Sequence, residues 1–305
     1  MRSVVAHGLS TAELEAVRAM VTDVEHERGY RPMSDQAWLD LNGAAHDHVV
    51  QVLVQESHND DVLAYAQANV MTGLWSIELV VARHAQHLFG TVATTALKTA
   101  IDGIEAVGGH DFVWLVQDPT TQHEALASAL ELAIVRRLYQ MRCELPVDVA
   151  FEIATRPFDP DRDVDEWVRV NARAFAWNPE QGSWTADAVR ARIGEPWFDP
   201  NGFLVFEIEG RMAGFCWTKI HPPTTSDEAL GEIYVIAVDP EFHGRGYGRD
   251  LTLAGLRWLA GRGVRTGMLF VDSDNVAAIR LYKNLGFRIH RTDCMYLGHI
   301  EERPE

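Results

Sequence analysis

Residues 232–248 read E-I-Y-V-I-A-V-D-P-E-F-H-G-R-G-Y-G. A run of β-branched and aromatic residues ends at Asp239-Pro240. A loop containing Gly244, Gly246 and Gly248 follows, and over 249–259 apolar residues recur at helical spacing. Strand, glycine loop and helix in that order present backbone amides at a helix N-terminus, which is the layout of a phosphate cradle. The segment therefore ties this part of the chain to an α/β arrangement and to a ligand with an anionic group.

The net charge of −17 argues against a nucleic-acid partner. It does not conflict with a phosphate ligand, because a nest of backbone N–H groups binds an anion whatever the overall charge. Cys143, Cys216 and Cys294 are far apart and odd in number. They have neither disulfide nor metal-ligand spacing, so reduced thiols, a cytoplasmic location and no metal are expected. The opening M-R-S-V-V-A-H-G-L-S lacks the apolar core of a signal peptide, and no uncharged apolar run approaches a membrane span.

A chain of 305 residues suggests two domains. The proline-bearing stretch 145–165, with Pro146, Pro157 and Pro160, is the expected boundary, giving domains 1–145 and 150–305. Within it, 151–154 is the expected first strand of the second half. That half then reads as helices 163–175 and 186–193, strands 203–208, 212–221 and 233–238, helix 249–260, strand 266–271, helix 277–285 and strand 288–291. The order predicts an α/β (α+β) domain with a mixed, mostly antiparallel sheet flanked by helices. The first half looks like a degenerate copy. Leu138-Tyr139 after a helical 134–137 parallels Leu281-Tyr282 after 278–280, and 78–81 parallels 235–238.

H-G-R-G-Y-G (243–248) resembles the [QR]-x-x-G-x-[GA] signature of the GCN5-related N-acetyltransferases (GNAT). D-N-V-A-A-I-R-L-Y-K-N-L-G-F (274–287) is similar to a second segment of that family that contacts coenzyme A. His243 departs from the usual Gln or Arg. Three further segments, A-F-A-W-N-P-E-Q-G-S-W (174–184), G-F-C-W-T-K-I-H-P (214–222) and G-E-I-Y-V (231–235), resemble the two-domain members that acetylate the cysteinyl amine of Cys-GlcN-inositol. The resemblance implies two tandem GNAT domains, the first degenerate and the second catalytic, with acetyl-CoA as co-substrate, a small-molecule amine acceptor and no nucleic-acid or membrane partner. An internal tandem suits a monomer. Other acceptors, such as a protein N-terminus or an aminoglycoside, share fold and signature, and a non-catalytic acyl-CoA sensor is the reading from a different class.

By this resemblance the pantetheine arm pairs with Ile236, Ala237 and Val238 where a bulge splays the central strand. His243, Gly244, Arg245, Gly246, Tyr247, Gly248 and Arg249 cradle the pyrophosphate, the glycines permitting positive φ. Asn275, Phe287 and Arg288 complete the cofactor set. Glu232 opens the central strand, and alternation puts it on one face with Tyr234 and Ile236. It is the candidate general base, and Tyr282 is the candidate acid for the leaving thiolate. The Ile236 amide is the candidate oxyanion donor. Asp35 (in M-S-D-Q-A), Glu180, Lys219, Glu232 and Tyr282 are implied acceptor contacts, with Trp177, Trp184 and Trp217 as possible walls. Structural roles stand beside these: a strand-end glutamate, a core tyrosine, a surface lysine, a turn or helix cap.

In the first half, aligning Val81 with Val238 puts Trp75 at Glu232, Phe89 at Gly246 and Thr91 at Gly248. Tyr139 falls at Tyr282. The base is missing and the glycine loop eroded, so this half is expected to be silent. Leu79, Val80 and Val81 with the 86–91 backbone remain its candidate coenzyme A contacts.

Overall fold

A computed structural model describes residues 1–6, 8–42, 49–58, 60–71, 74–223 and 228–300, with the side chains of residues 35, 36, 71, 179 and 180 outside the description. The chain forms two compact units: Met1–Leu138 with Arg291–Glu305, and Tyr139–His290. The expected division into 1–145 and 150–305 differs from these units at two strands, one after each helical half.

Unit 1 runs β1 (Arg2–Ala6), α1 (Thr11–Arg28), α2 (Asp35–Asn42), β2 (Val49–Gln55), β3 (Val62–Met71), β4 (Leu74–Val81), α3 (Phe89–Ala106), β5 (Asp111–Gln117), α4 (Thr121–Ala129) and the start of β6 (Ala133–Glu144). β1 to β4 form an antiparallel meander, and β5 joins β4 in parallel. The chain's last strand, β12 (Arg288–His299), completes this sheet by pairing Asp293–His299 antiparallel to β5. Strand 288–291 was expected to end where β12 in fact continues.

Unit 2 runs β7 (Thr155–Pro157), α5 (Val164–Ala174), α6 (Pro179–Gly182), α7 (Ala186–Ile193), β8 (Phe203–Ile208), β9 (Arg211–His221), β10 (Leu230–Val238), α8 (Tyr247–Gly261), β11 (Thr266–Asp272) and α9 (Val276–Asn284). β7 to β10 are antiparallel neighbours, β11 lies parallel to β10, and β6 lies next to β11. One face of the sheet packs on α8 and α9, around Leu251, Leu256, Leu259, Tyr282 and Phe287. The other packs on α5 and α7 through aromatics, among them Trp167, Phe203, Phe215 and Trp217.

Two expectations are corrected. Residues 151–154 form no strand; Phe151 instead lies under the Arg257 guanidinium of α8, 4.1 Å from the ring centroid, and pairing with β8 begins at Thr155. Residues 134–137 are not helical but open the long strand β6. Their β-branched Ile134-Val135 suits a ladder, which tertiary pairing rewards over local helical spacing. Tyr139 therefore lies on a strand and has no correspondence with Tyr282.

α8 approaches the sheet through Gly255. A Cβ there would meet Cys216 Sγ at 2.6 Å and Ile233 Cδ1 at 2.8 Å, whereas one at Gly261, the last residue of α8, would meet nothing within 4 Å. Gly255→Ala is expected to destabilise the protein by about 1–3 kcal/mol through overpacking. Gly261→Ala should be neutral or stabilising by up to about 1 kcal/mol. Urea unfolding of the two variants checks this; equal midpoints would contradict the packing described.

Candidate active site

The site begins with a ladder that stops. β10 pairs with β11 over Leu230–Ile233 against Thr266–Leu269, yet β10 runs on to Val238 and β11 to Asp272. The other side of β10 is irregular at the same place. Ile233 faces Thr218 of β9 and Val235 faces Trp217, so Tyr234 is an extra residue in the β10 register. Such a bulge bends and twists its strand. Beyond it, one edge of β10 through Ile236, Ala237 and Val238 has no β11 partner, an edge that an extended ligand can pair with as an added strand.

The insertion also decides which way the residues point. A Cβ on Gly231 would meet Leu259 of α8, and Ile233 lies against Gly255 of the same helix. Glu232, between them, faces the aromatic side. After the bulge, Ile236 and Val238 pack toward α8 while Val235 and Ala237 pack toward the aromatics. Glu232 and Tyr234 thus share a face as expected, but Ile236 is on the opposite one, because one extra residue inverts the alternation.

Glu232 is buried at the head of the open edge. Its Oε2 is 2.7 Å from Nε2 of His221. Its direct cross-strand neighbour is Lys219, whose Nζ lies 5.0 Å from the Trp197 ring centroid and 5.7 Å from that of Tyr234. Trp217 meets Tyr234 edge-on at 5.4 Å and Trp184 meets it at 6.5 Å, giving the carboxylate and ammonium an aromatic wall. Trp177 is exposed and stands apart from that wall, against Phe175. His221 was missed in the sequence. The available signal was alternation within W-T-K-I-H-P, which puts His221 on the face of Lys219. Glu180 lies in α6 and Asp35 opens α2, but their side chains fall outside the described residues.

The cradle follows from the strand's end. Asp239 is fully buried; its N–H donates to Ala213 O, its Oδ1 accepts from Glu241 N at 3.0 Å, and Arg173 lies 3.0 Å from that carboxylate. The His243 imidazole donates through Nε2 to the Val238 carbonyl at 2.8 Å, so its side chain fastens the loop to the strand. Gly244 and Gly246 take φ of 77° and 84°, conformations that favour glycine. Gly246 is the N-cap of α8 and offers no side-chain cap, which leaves the first amides of α8 for a ligand. Gly248 is corrected: it is an ordinary helical residue.

An open strand edge leading to uncapped helix amides fits acetyl-CoA. Arg245 and Arg249 are exposed beside these amides; Arg249 also bonds Asp250 at 2.8 Å and Ala150 O at 3.3 Å. Tyr247 packs on Phe206. Asn275 caps α9, its Oδ1 accepting from Ala278 N at 3.1 Å, and Arg288 is exposed. Phe287 is buried against Tyr282 with ring centroids 5.7 Å apart, so its side chain is a core group and only its backbone remains for a ligand.

Tyr282 projects from α9 into the same cluster as Ile236 and Val238. Glu232 and Tyr282 therefore approach the open edge from opposite faces of the sheet. Burial raises the Tyr282 phenol, and the neighbouring Cys216 adds to the effect. A phenol shifted upward stays protonated at neutral pH, the state that donates a proton.

Unit 1 repeats the frame with other residues at the corresponding positions. Its β4–β5 ladder ends at Glu78–Leu115 although both strands continue, so Leu79–Val81 also lack a β5 partner. Gln86 donates to the Val81 carbonyl at 2.9 Å as His243 does to Val238. Residues Arg83–Leu88, however, coil into a 3-10 turn that runs into α3, and Phe89, at the Gly246 position, has a φ of −45°. The β3–β4 register has no bulge. Counted along the partner strands, Glu232 opposite Lys219 corresponds to Ser76 opposite Asn69, not to Trp75. The turn after α9, with Phe287 N–H donating to Tyr282 O, recurs after α4 as Leu132 N–H donating to Ala127 O. Ala127, rather than Tyr139, is the counterpart of Tyr282.

A sheet with its ladder left open beside a helix-terminal amide cradle is the architecture of the GNAT class, and the model of the acetyltransferase (GNAT) family matches residues 167–287. A GCN5-related N-acetyltransferase of Sphaerobacter thermophilus has the same fold, with a TM-score of 0.74 at 18% identity over 98% of this chain and 96% of that one. Two curated relatives are mycothiol acetyltransferases. That of Thermomonospora curvata is 39% identical over 96% of each chain. That of Acidimicrobium ferrooxidans is 36% identical over 96% of this chain and 98% of the relative. The chain belongs to the mycothiol acetyltransferase family. Among the described residues no helix is long and apolar enough to cross a membrane, and no His, Cys, Asp and Glu side chains group as a metal site.

All three cysteines are free and buried. Burial pushes the Cys143 thiol up to about 12 and raises Cys216 and Cys294 as well. A buried, protonated thiol is a poor nucleophile. The native protein should therefore leave Ellman's reagent unreacted at pH 8 over minutes, and release three equivalents of chromophore in denaturant. A fast native equivalent would contradict the burial.

Proposed function

We propose that this chain is an acetyl-CoA-dependent N-acetyltransferase that acetylates the cysteinyl amine of desacetylmycothiol, Cys-GlcN-inositol, releasing mycothiol and coenzyme A. The observation that carries the reading is a buried carboxylate, Glu232, at the head of an open strand edge that leads to a glycine cradle. The names of the curated relatives support the acceptor.

Bound acetyl-CoA supplies an activated acetyl thioester. Glu232 takes a proton from the substrate ammonium, which frees the nitrogen lone pair for attack. The Ile236 amide, on the unpaired edge of β10, donates to the carbonyl oxygen as negative charge develops there. Tyr282 gives its phenolic proton to the departing sulfur and is reprotonated by the second proton that the acylated nitrogen sheds. Lys219, held over Trp197 and Tyr234, faces the polar acceptor beside Glu232. Attack is direct, because the buried thiols offer no nucleophile for an acyl-enzyme. Unit 1, with Ser76 and Ala127 at the two reacting positions, performs no transfer. Free thiols suit a reducing compartment, so the enzyme works in the cytoplasm, as a monomer.

Offering Cys-GlcN-inositol, simpler cysteine derivatives and an aminoglycoside with acetyl-CoA, and following coenzyme A release, tests the acceptor. Preference for the first is expected, and no preference would remove the specific reading. Glu232→Gln should lower kcat by about 10²–10⁴ at neutral pH, and Tyr282→Phe by at least about 10². Both variants should still bind acetyl-CoA in calorimetry. Full activity in either would remove that residue's role.

A further inference from the structure

A buried base must lose its proton before the next turnover. The Glu232 side chain keeps 9% of its surface at solvent, against 29% for His221, and the two meet at 2.7 Å through Oε2 and Nε2. The contact follows from register. Glu232 lies opposite Lys219, and His221, the last residue of β9, is its diagonal neighbour on the same face. Lys219 shares that face but carries an ammonium, which donates and does not accept. Imidazole both accepts and releases a proton near neutrality.

We propose that His221 is the proton exit of the active site: a positioning residue that holds the Glu232 carboxylate and passes its proton to solvent. The inference rests on Glu232 being the base. Before attack, an N–H bond of the substrate ammonium breaks, its electron pair stays on nitrogen, and the proton goes to Glu232. The carboxyl O–H then breaks toward the lone pair on Nε2, with His221 in its Nδ1–H tautomer. The resulting imidazolium releases the Nδ1 proton to water, which leaves Glu232 ionised and His221 neutral in the other tautomer. Tautomer exchange through water restores the start, so no oxidant, metal or further reactant enters.

His221→Gln keeps an N–H donor near the carboxylate but accepts no proton through it, and His221→Ala removes both functions. In the full-length protein, kcat should fall in both variants by about 10- to 100-fold, with KM for the amine and acetyl-CoA affinity little changed. Added imidazole should raise kcat of His221→Ala several-fold toward the parent, leave the parent unchanged, and fail to restore Glu232→Gln. Full kcat in His221→Gln would reduce His221 to a hydrogen-bond donor and overturn the proposal. So would a fall in His221→Ala that no imidazole concentration relieves. An inactive Glu232→Gln alongside ordinary His221 variants removes the relay alone, whereas a fully active Glu232→Gln removes the base and the relay with it.

Discussion

The inserted residue Tyr234 fixes which face of β10 each site residue takes, beside a β10–β11 ladder that ends at Ile233–Leu269. Backbone groups that a closed sheet would satisfy are left for an extended partner, and unpaired groups of this kind need one when buried. The same insertion inverts the alternation, so Glu232 stays among the aromatics while Ile236 and Val238 turn toward α8 and Tyr282. One extra residue thus puts Glu232 and Ile236 on opposite faces of the strand beside that groove.

The aromatic wall gives that geometry its chemical character. Trp197, Trp217 and Tyr234 pack beside a carboxylate and an ammonium that lie opposite each other across two strands, and Glu232 is buried there. Electrostatic interactions strengthen as burial lowers the local dielectric. A charged pair in such a place needs hydrogen-bond partners, and His221 supplies one to Glu232.

Comparison of the two units separates scaffold from chemistry. The open end of the ladder, the side chain fastened to the last strand carbonyl and the turn after the second helix occur in both. These are backbone features that many side chains can support. The bulge, the positive-φ glycines, the carboxylate and the phenol occur in unit 2, where unit 1 has an unbroken register, Phe89, Ser76 and Ala127. The departure of His243 from the usual Gln or Arg also finds its reason here. What that position does in this protein is donate to the strand's final carbonyl, as Gln86 does in unit 1, and an imidazole can do so too.

Much of unit 2 was legible because its elements are set by local pattern. The β-branched run before Asp239-Pro240, the glycine loop and the apolar spacing of α8 each specify conformation within a few residues, and the motifs around Glu232 and Tyr282 marked them out as candidates. What stayed hidden depends on partners distant in sequence. The bulge is defined only by counting β10 against β9, so the face of Ile236, the true counterpart of Glu232 and the contact with His221 could not be read from one strand. Likewise Ala133–Glu144 carries both helical and strand signals, and pairing chose the strand; it also put Asp293–His299 against β5 rather than in unit 2. The sequence by itself determined which residues are available for the chemistry. Tertiary structure decided which of them meet, because register is a property of paired strands and a single inserted residue reverses it.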